Sequence, residues 1–304
     1  MAILVRRSNL MVPMSGTATV REAWRHNADA ITLDLDAAHG GDAKDAIQLA
    51  GQGGAEVFMR VQSRHAQAGL AAALWPGLRG IMLAGVETAA EIARAAEIVS
   101  GLERERGLAA GSVQLIVMLE SARAVWDIRH IATASPRISQ AGIDERALAA
   151  NLGIAEALKL DAEHDPFVYA RGRLAFEATA AKVNPVGMAY PLSVQPREAA
   201  PEEVHTLATK ARNLGMKGVI CPHASWVAPV NTAFTPTAEL ITYNKRVREA
   251  FAAGVAAGTA AVPLDGRMID VPVDEWAIVV LAMGEACAAR DAEKQAARSR
   301  ASGG

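Results

Sequence analysis

The feature of this sequence that most constrains its fold is a repeated alternation of short apolar segments with longer, alanine-rich ones. The short segments are apolar throughout, without the alternating polar residues of a half-exposed strand, which is typical of strands buried on both faces. The segments between them, such as 88–99 and 202–213, carry apolar residues at helical spacing. The short segments lie at residues 10–13, 30–36, 56–61, 80–84, 114–120, 138–144, 185–190 and 218–223.

Eight strands that alternate with helices predict an α/β fold, a (β/α)8 TIM barrel, over residues 1–236. An open, doubly wound sheet is the alternative. After the barrel the pattern changes to two longer helical segments around a short loop, which predicts a C-terminal helical extension over 237–294. The small, polar and basic segment 295–304 is predicted to be a disordered tail.

The composition limits the cellular compartment and the class of binding partner that we expect for this protein. Net charge is -2 and no basic face stands out, which argues against nucleic acid as the main partner. Cys221 and Cys287 are the only cysteines, so a disulfide framework is not expected and a reducing compartment is favoured. No apolar run approaches the length of about 18 residues that spans a membrane, and no signal-peptide pattern occurs. We therefore expect a soluble, cytoplasmic protein without a membrane partner.

A barrel carries its catalytic side chains at the carboxyl ends of its strands, so the polar residues that end the predicted strands are the candidate site. Carboxylates that converge with one arginine suit a hard divalent cation such as Mg²⁺ and an anionic substrate. The candidates are Asp34, Asp36, Arg60, Glu120, Asp144 and His223.

Each candidate also has a structural interpretation. Asp34 and Asp36 share a strand face, or one of them caps the next helix. Asp144 is either a site residue or the N-cap of the helix that follows it. Glu120 and Arg60 end apolar strands, where a charge without a partner is costly, so a structural ion pair is the alternative to a functional role. His223 is interpreted as a satisfied core histidine.

Several short motifs occur in a fixed order with characteristic spacing. They include the opening Arg-Ser-Asn-Leu-Met-Val-Pro at 7–13, Met-Arg-Val at 59–61, Met-Leu-Glu-Ser-Ala-Arg at 118–123 and Pro-Leu-Asp-Gly-Arg-Met-Ile-Asp at 263–270. Together they resemble the citrate lyase β-subunit-like family. That family belongs to the HpcH/HpaI aldolase and citrate lyase superfamily and includes malyl-CoA and citramalyl-CoA lyases.

The resemblance implies a (β/α)8 barrel that assembles as trimers or hexamers. The implied chemistry is Mg²⁺-dependent, reversible cleavage of a β-hydroxyacyl thioester such as malyl-, citramalyl- or citryl-CoA to acetyl-CoA and an α-oxo acid, with Mn²⁺ as the alternative ion. CoA and an acyl-carrier protein both remain open as the thioester carrier, and the identity of the oxo acid also remains open.

The resemblance also implies roles for individual residues. Glu120 matches a metal ligand, and Arg60 matches the arginine that holds the oxo acid near the metal. Asp270 matches an acid/base aspartate that reaches into a neighbouring subunit's site. Arg7 matches a substrate-side arginine, and with Arg60 and Asp34 it makes up the predicted substrate-binding set.

The sequence departs from the family pattern at some site positions. After the sixth strand the family reads Phe-Gly-x-Glu-Asp, and the Asp is its second metal ligand; here Arg146 and Ala147 occupy the Glu-Asp pair. Asp144 and Glu145 are the candidates to replace the missing ligand. After the fourth strand the family has Pro-Lys, where this chain has Gly85 in place of the lysine.

These departures leave three functional interpretations. The first is a Mg²⁺-dependent carbon–carbon lyase whose metal is held by Glu120 with Asp144 or Glu145. The second is an acyl-CoA thioesterase of the same family. The third is a non-catalytic family member that binds an acyl-CoA or serves as a partner subunit. The joint presence of Arg60, Glu120 and Asp270 favours an enzyme.

Overall fold

A computed structural model describes residues 3–15, 17–35, 42–154, 165–189 and 199–303 of the chain. Eight parallel strands form a closed barrel in which β1 pairs with both β2 and β8. The strands are β1 (Ser8–Pro13), β2 (Ala30–Asp34), β3 (Glu56–Gln62), β4 (Gly80–Ala84), β5 (Gln114–Leu119), β6 (Ile138–Asp144), β7 (Asn184–Ala189) and β8 (Val219–Cys221). The predicted (β/α)8 barrel is confirmed, and the alternative of an open sheet is wrong.

The strand register aligns the residues that matter for a site. Asp34 of β2 lies opposite Pro13 of β1 and opposite Arg60 of β3. Side chains alternate between the two faces of a strand, so Arg60 lies on the same face as Phe58, which is buried in the barrel interior. The carboxyl ends of the strands therefore form one rim, with polar side chains above an apolar interior.

The interior below this rim is filled with apolar side chains. They are Met11, Ala30, Phe58, Met82, Ala84, Ile116, Met118, Val186 and Ile220. At the opposite end Arg6, which precedes β1 and is 2% exposed, donates hydrogen bonds to Gln114 Oε1 (2.6 Å) and Ser139 Oγ (3.1 Å). It also pairs with Glu56 and lies over the Phe58 ring. A well-paired guanidinium thus closes the amino end of the barrel.

Helices cover the outside of the barrel. They are α1 (Thr17–Ala23), α2 (Ala43–Gly51), α3 (Ala66–Ala73), α4 (Ala89–Glu105), α5 (Ala122–Trp126), α6 (Ile128–Thr133), α7 (Glu145–Asn151), α8 (Val168–Ala180), α9 (Pro201–Asn213) and α10 (Val227–Phe234). In α4, Thr88 and Glu91 form a capping box, and Ile92, Ala95 and Val99 are buried at helical spacing. Of the helices in the described part of the chain, none combines the length and apolar character needed to cross a membrane.

Thr235–Glu293, with the start of the chain, form a second compact unit. Its elements are α11 (Ala238–Ala256), the antiparallel strands β9 (Val262–Leu264) and β10 (Arg267–Ile269), and the part of α12 (Val271–Ser302) up to Glu293. The turn between the strands has Asp265 and Gly266 at positive φ, 48° and 75°, as the tight turn of a hairpin requires. Arg246 donates two 2.8 Å hydrogen bonds to the Asp265 carboxylate. The C-terminal helical extension is confirmed, and the loop predicted between its helices contains this hairpin.

The end of the chain is helical, which corrects the prediction of a disordered tail over 295–304. α12 continues through most of this segment, and its part from Lys294 onward belongs to the barrel unit. The Lys294 ammonium is fully buried, pairs with the Asp29 carboxylate and donates a 2.9 Å hydrogen bond to the Asn27 carbonyl. Arg298 bonds the Asn27 side chain. The prediction was wrong because the composition of residues 295–304 does not reveal the acceptors, Asp29 and Asn27, that lie far away in the sequence.

Replacement of Lys294 tests this anchor. Lys294→Met removes one of the cations that pair with the buried Asp29 carboxylate, so we expect a loss of about 3 kcal/mol in the free energy of unfolding. Urea unfolding followed by circular dichroism measures it. Lys210→Met, exposed on α9, is the matched control and changes this free energy by less than about 0.5 kcal/mol. Identical curves for Lys294→Met and wild type would show that the pair does not anchor the chain end.

Candidate active site at the barrel rim

Four charged side chains meet at the rim formed by the carboxyl ends of β2, β3, β5 and β6. Arg60 lies between two carboxylates: its Nη1 is 3.4 Å from Asp34 Oδ1, and its Nη2 is 3.4 Å from Glu120 Oε1. Asp144 lies close enough for its charge to act on Glu120. The structure therefore brings together four of the predicted site residues. The ion pairs of Arg60 with Asp34 and Glu120 belong to this same cluster.

The local sequence places the carboxylates of Glu120 and Asp144 at junctions between a strand and the following helix. Glu120 follows directly on β5, and the next residue, Ser121, caps α5 by accepting a 3.2 Å hydrogen bond from the Ala124 backbone N–H. Asp144 ends β6 and caps α7, accepting a 3.0 Å hydrogen bond from the Ala147 backbone N–H. The capping interpretation of Asp144 is thus observed, and the same contact holds its carboxylate at the rim.

The electrostatics of the rim favour a bound cation. Burial raises the pKa of Glu120, and the negative charge of Asp144 raises it further, while Arg60 opposes both effects. Burial also raises the pKa of Asp144, against the hydrogen bond from Ala147 and the charge of Arg60. Carboxylates that are destabilised by burial and by each other are stabilised in their ionised form by a nearby positive charge.

Glu145 is engaged elsewhere, which corrects its prediction as a metal ligand. It is 3% exposed, and its two carboxylate oxygens accept hydrogen bonds of 2.7 Å each from Nε and Nη2 of Arg171 on α8. Arg171 also pairs with Asp165. Among the residues that the structure describes, no three His, Cys, Asp or Glu side chains are grouped as metal ligands. Glu120 and Asp144 remain as the candidate pair.

Arg7 lies at the wrong end of the barrel for a substrate-binding residue, which corrects that prediction. It precedes β1, whereas Arg60 lies near the carboxyl end of β3. Its guanidinium is 3% exposed and donates hydrogen bonds of 2.8 Å and 2.9 Å to the two oxygens of Asp29. Arg7 therefore neutralises a buried carboxylate at the amino end of the barrel.

Asp270 belongs to the C-terminal unit. It precedes α12, and its Oδ1 accepts a 3.3 Å hydrogen bond from the Val273 backbone N–H, which makes it the cap of that helix. Its side chain is partly exposed. The acid/base role implied for Asp270 stays a prediction.

Two other candidates, Asp36 and His223, and the cysteine Cys221 have simple outcomes. Asp36 lies outside the described residues. His223 caps the short 3₁₀ turn Ala224–Trp226, where its Nδ1 accepts a 3.3 Å hydrogen bond from the Ser225 backbone N–H. Burial raises the pKa of the Cys221 thiol, so a reactive thiolate is disfavoured there.

Sequence reasoning missed Gln62, and it identified Gly85 as a departure from the family pattern without showing that Gly85 lies beside Gln62 and Glu120. A Cβ atom added to Gly85 would lie 3.1 Å from Gln62 Oε1 and 3.2 Å from Glu120 Oε2. The signal that points to Gln62 is its position two residues after Arg60, which places both side chains on one face of β3. For Gly85 no signal identifies the contact, because it depends on a neighbouring strand.

The family model for HpcH/HpaI aldolase/citrate lyase matches residues 7–224, which include the whole barrel and its rim. The chain belongs to the HpcH/HpaI aldolase/citrate lyase family. The resemblance inferred from the sequence motifs is thereby confirmed, and the family includes lyases that act on acyl-CoA thioesters.

Known members of the HpcH/HpaI aldolase/citrate lyase family resemble the chain at low identity. Citrate lyase subunit beta of Haemophilus influenzae is 24% identical over 288 residues, 91% of this chain and 96% of that protein. L-malyl-CoA/beta-methylmalyl-CoA lyase of Cereibacter sphaeroides is 25% identical over 218 residues, 67% of each chain. The crystal structure of protein CitE from Mycobacterium tuberculosis, in complex with magnesium, acetoacetate and coenzyme A, matches with a TM-score of 0.63 at 21% identity, covering 92% of this chain and 98% of that one. This structural likeness supports the fold.

The coupling of the two rim carboxylates predicts a measurable change in pKa. Asp144→Asn removes a negative charge near Glu120 and keeps a good capping side chain, so the pKa of Glu120 falls. A ¹³C-carboxyl NMR titration of the metal-free protein measures it, with the Glu120 signal identified by its loss in Glu120→Gln. Asp127→Asn, at the junction of α5 and α6, is the control. A Glu120 pKa that does not respond to Asp144→Asn would contradict the coupling.

Proposed function

We propose that this protein is a Mg²⁺-dependent carbon–carbon lyase. It would cleave a β-hydroxyacyl-CoA, such as malyl-, citramalyl- or citryl-CoA, to acetyl-CoA and an α-oxo acid. The observation that carries the proposal is the placement of Arg60 between Asp34 and Glu120, with Asp144 nearby, at the rim of a barrel of this family. Relatives named as citrate lyase subunit beta and malyl-CoA lyase support the reaction class.

Glu120 and Asp144 fit a divalent cation, Mg²⁺ or alternatively Mn²⁺. Carboxylate oxygens are the ligands that Mg²⁺ prefers, and it commonly takes only one or two of them from the protein. Burial raises the pKa of both carboxyls, and Asp144 adds to the effect on Glu120, as at a site built for an additional positive charge. When bound, the ion would supply Lewis-acid stabilisation of negative charge on the oxo oxygen. The Mycobacterium tuberculosis relative, whose structure is a complex with magnesium and coenzyme A, supports both groups as ligands.

Arg60 is placed to hold the carboxylate of the α-oxo acid. Its planar guanidinium matches a carboxylate with two parallel hydrogen bonds. The contacts of Arg60 with Asp34 and Glu120, both 3.4 Å, lie beyond the usual hydrogen-bond range, so an incoming carboxylate can compete for the guanidinium. Asp34 then acts as a positioning residue that keeps the Arg60 fork oriented during turnover.

Asp270 is our candidate for the proton transfer at carbon. Cleavage breaks the bond between the α and β carbons of the acyl chain. The β-hydroxyl gives its proton to water and becomes the oxo group, and the electrons of the broken bond pass to the α carbon of a thioester enolate. Asp270 protonates that carbon as a general acid and removes the same proton in the reverse direction. We propose that it comes from a neighbouring subunit, so the active form is a homo-oligomer, a trimer or a hexamer.

Metal binding tests the ligand pair. In calorimetric titrations with Mg²⁺ and glyoxylate present, Glu120→Gln and Asp144→Asn should each weaken Mg²⁺ binding by at least about tenfold, because each removes an anionic ligand. Glu145→Gln is the matched control: it removes the adjacent carboxylate, which is occupied by Arg171, and leaves Mg²⁺ binding intact. If the wild type binds no Mg²⁺, the metal-dependent lyase is excluded.

Product analysis tests the reaction and the shared site together. Wild type incubated with malyl-, citramalyl- or citryl-CoA should release acetyl-CoA and the oxo acid in equal amounts. Arg60→Lys and Asp270→Asn should each lower kcat/KM by about 100-fold or more, since both displace or remove a group that must be held in register with the substrate. Mixed after co-refolding, the two variants should regain about a quarter of wild-type activity, because a site can take Arg60 and Asp270 from different subunits.

Other outcomes identify the alternatives. Release of free CoA without an oxo acid would identify an acyl-CoA thioesterase. Binding of acyl-CoA without turnover would identify a non-catalytic member or partner subunit, which the presence of Ala147 and Gly85 at family site positions favours as the second candidate. Activity of the separate Asp270→Asn variant equal to wild type would exclude Asp270 as the acid.

A further inference from the structure

Three aromatic side chains are exposed together on the outside of the barrel, on α5 and α8. Trp126 ends α5, and Tyr169 and Phe176 lie on α8; they are 73%, 66% and 81% exposed. The opposite face of α8 is buried, with Leu174 and Ala178 among its residues. Aromatic residues make up only 4% of the chain, so abundance does not explain three of them in contact with solvent at one place.

Arg173 joins these aromatic side chains into one surface. It lies between Tyr169 and Phe176 on the same face of α8, since residues three or four apart are neighbours on a helix. Its guanidinium lies over the Trp126 ring, 5.1 Å from the ring centroid, and donates hydrogen bonds to the Trp126 carbonyl oxygen and, at 3.3 Å, to Tyr169 Oη. We call Trp126, Tyr169, Arg173 and Phe176 the α8 aromatic face. Trp, Tyr and Arg are the residue types that carry most binding energy at protein interfaces.

The area of the α8 aromatic face is large enough for a stable contact. A Trp, Tyr or Phe side chain has about 150–250 Å² of surface, so the exposed fractions leave about 450 Å² of aromatic surface in contact with water. Monomeric proteins rarely expose an apolar patch of this size without a function. Two such faces packed together would bury about 900 Å² from the aromatic side chains alone. With the surrounding side chains the contact passes the roughly 1,000 Å² that a specific interface needs.

Gly172 provides an open position at the centre of the α8 aromatic face. Among the described residues, none outside the local helix has an atom within 4 Å of the position that its Cβ would take. A glycine in the interior of a helix costs about 1 kcal/mol relative to alanine, and no contact within one described chain uses the missing side chain. A missing side chain at this position suits the close approach of another backbone.

We propose that the α8 aromatic face binds the same face of a second copy of this chain, with the two α8 helices antiparallel about a two-fold axis between Gly172 and Arg173. Tyr169 and Phe176 are equally far from that axis along the helix. Each Tyr169 therefore meets Phe176 of the second copy, which forms two aromatic pairs. Each Arg173 passes beside Gly172 of the second copy, where there is no side chain to obstruct it.

The charges around this face favour a second copy over a strongly charged partner. Arg129 on α6 donates hydrogen bonds of 2.8 Å and 3.1 Å to the two carboxylate oxygens of Glu177 on α8. With Asp127 and Arg173 the surface carries two groups of each sign. A nucleic acid or an acidic peptide would require an excess of positive charge. Two identical, balanced surfaces can meet without net repulsion.

The two-fold contact is independent of the proposed lyase chemistry. It uses α5, α6 and α8 of the barrel unit and none of the residues proposed for the metal, the oxo acid or the proton transfer. A three-fold arrangement that shares Asp270 between subunits would combine with this two-fold axis into a hexamer. Failure of the catalytic proposal therefore leaves the contact testable by molar mass alone.

Light scattering after size-exclusion chromatography, over a series of protein concentrations, tests the contact. Wild type should contain an even number of chains. Gly172→Gln places a side chain on the two-fold axis and should halve the molar mass, and it keeps α8 folded because glutamine is a better helix former than glycine. Phe176→Ser removes an aromatic pair partner and should also halve the mass. Leu214→Ser, exposed after α9, is the matched control and should keep the wild-type mass.

Cysteine cross-linking tests the antiparallel register. Gly172→Cys should form a disulfide between two chains when a mild oxidant is added, because the two copies of this position lie next to the axis. Thr179→Cys on the same helix is the control: antiparallel packing separates its two copies by about 20 Å along the helices, so it should not cross-link. The native Cys221 and Cys287 are buried and free, which keeps the background low.

Several results would overturn this inference. A wild type with one chain or an odd number of chains at every concentration has no such two-fold contact. An unchanged molar mass of Gly172→Gln and Phe176→Ser would show that copies meet through another surface. Cross-linking of Thr179→Cys in place of Gly172→Cys would exclude the antiparallel register. Thermal unfolding of each variant at the wild-type temperature confirms that a lower mass is not caused by unfolding.

Discussion

Closure of eight parallel strands into one barrel is the constraint on which the site depends. Closure brings all carboxyl ends to a single rim, so residues from Asp34 to Asp144 become neighbours although they are far apart in the chain. Closure also requires a packed interior, and three methionines with Phe58 and Ile116 supply much of it. The rim can hold charged side chains because the interior below it provides the burial energy.

The two ends of the barrel differ in how charge is balanced. At the amino end Arg6 pairs with Glu56, and Asp29 is neutralised by Arg7 and Lys294, so burial there is matched by opposite charge. The arginine and lysine also hold the pKa of Asp29 below its ordinary value despite its burial. At the rim the pKa values of Glu120 and Asp144 are raised instead. The first arrangement stabilises the fold, and the second is typical of a site that completes its charge balance with a ligand.

The sequence allowed the barrel and most of the rim to be predicted, because both follow from local patterns. An apolar strand that ends in a polar residue identifies Arg60, Glu120 and Asp144 without knowledge of their neighbours. Prediction from the sequence fails where a side chain pairs with a residue that is distant in the chain. In the sequence Glu145 is equivalent to Asp144 as a candidate ligand, but its carboxylate pairs with Arg171 on another helix. Arg7 is likewise a candidate for substrate binding, but its guanidinium pairs with Asp29. The helical end of the chain likewise depends on acceptors at the amino end of the barrel.

The backbone at Gly85 limits how this chain can change. At φ +67° a lysine, which the resemblance implies at this position, would be strained, and its Cβ would lie 3.1 Å from Gln62 Oε1 and 3.2 Å from Glu120 Oε2, so both side chains would have to shift. A single substitution therefore does not restore the family pattern: the turn after β4 must also adopt a new path, while Glu91 holds it in the present one. Replacement of Gly85 by a larger residue would therefore cost stability, because the backbone and the two neighbouring side chains must change together.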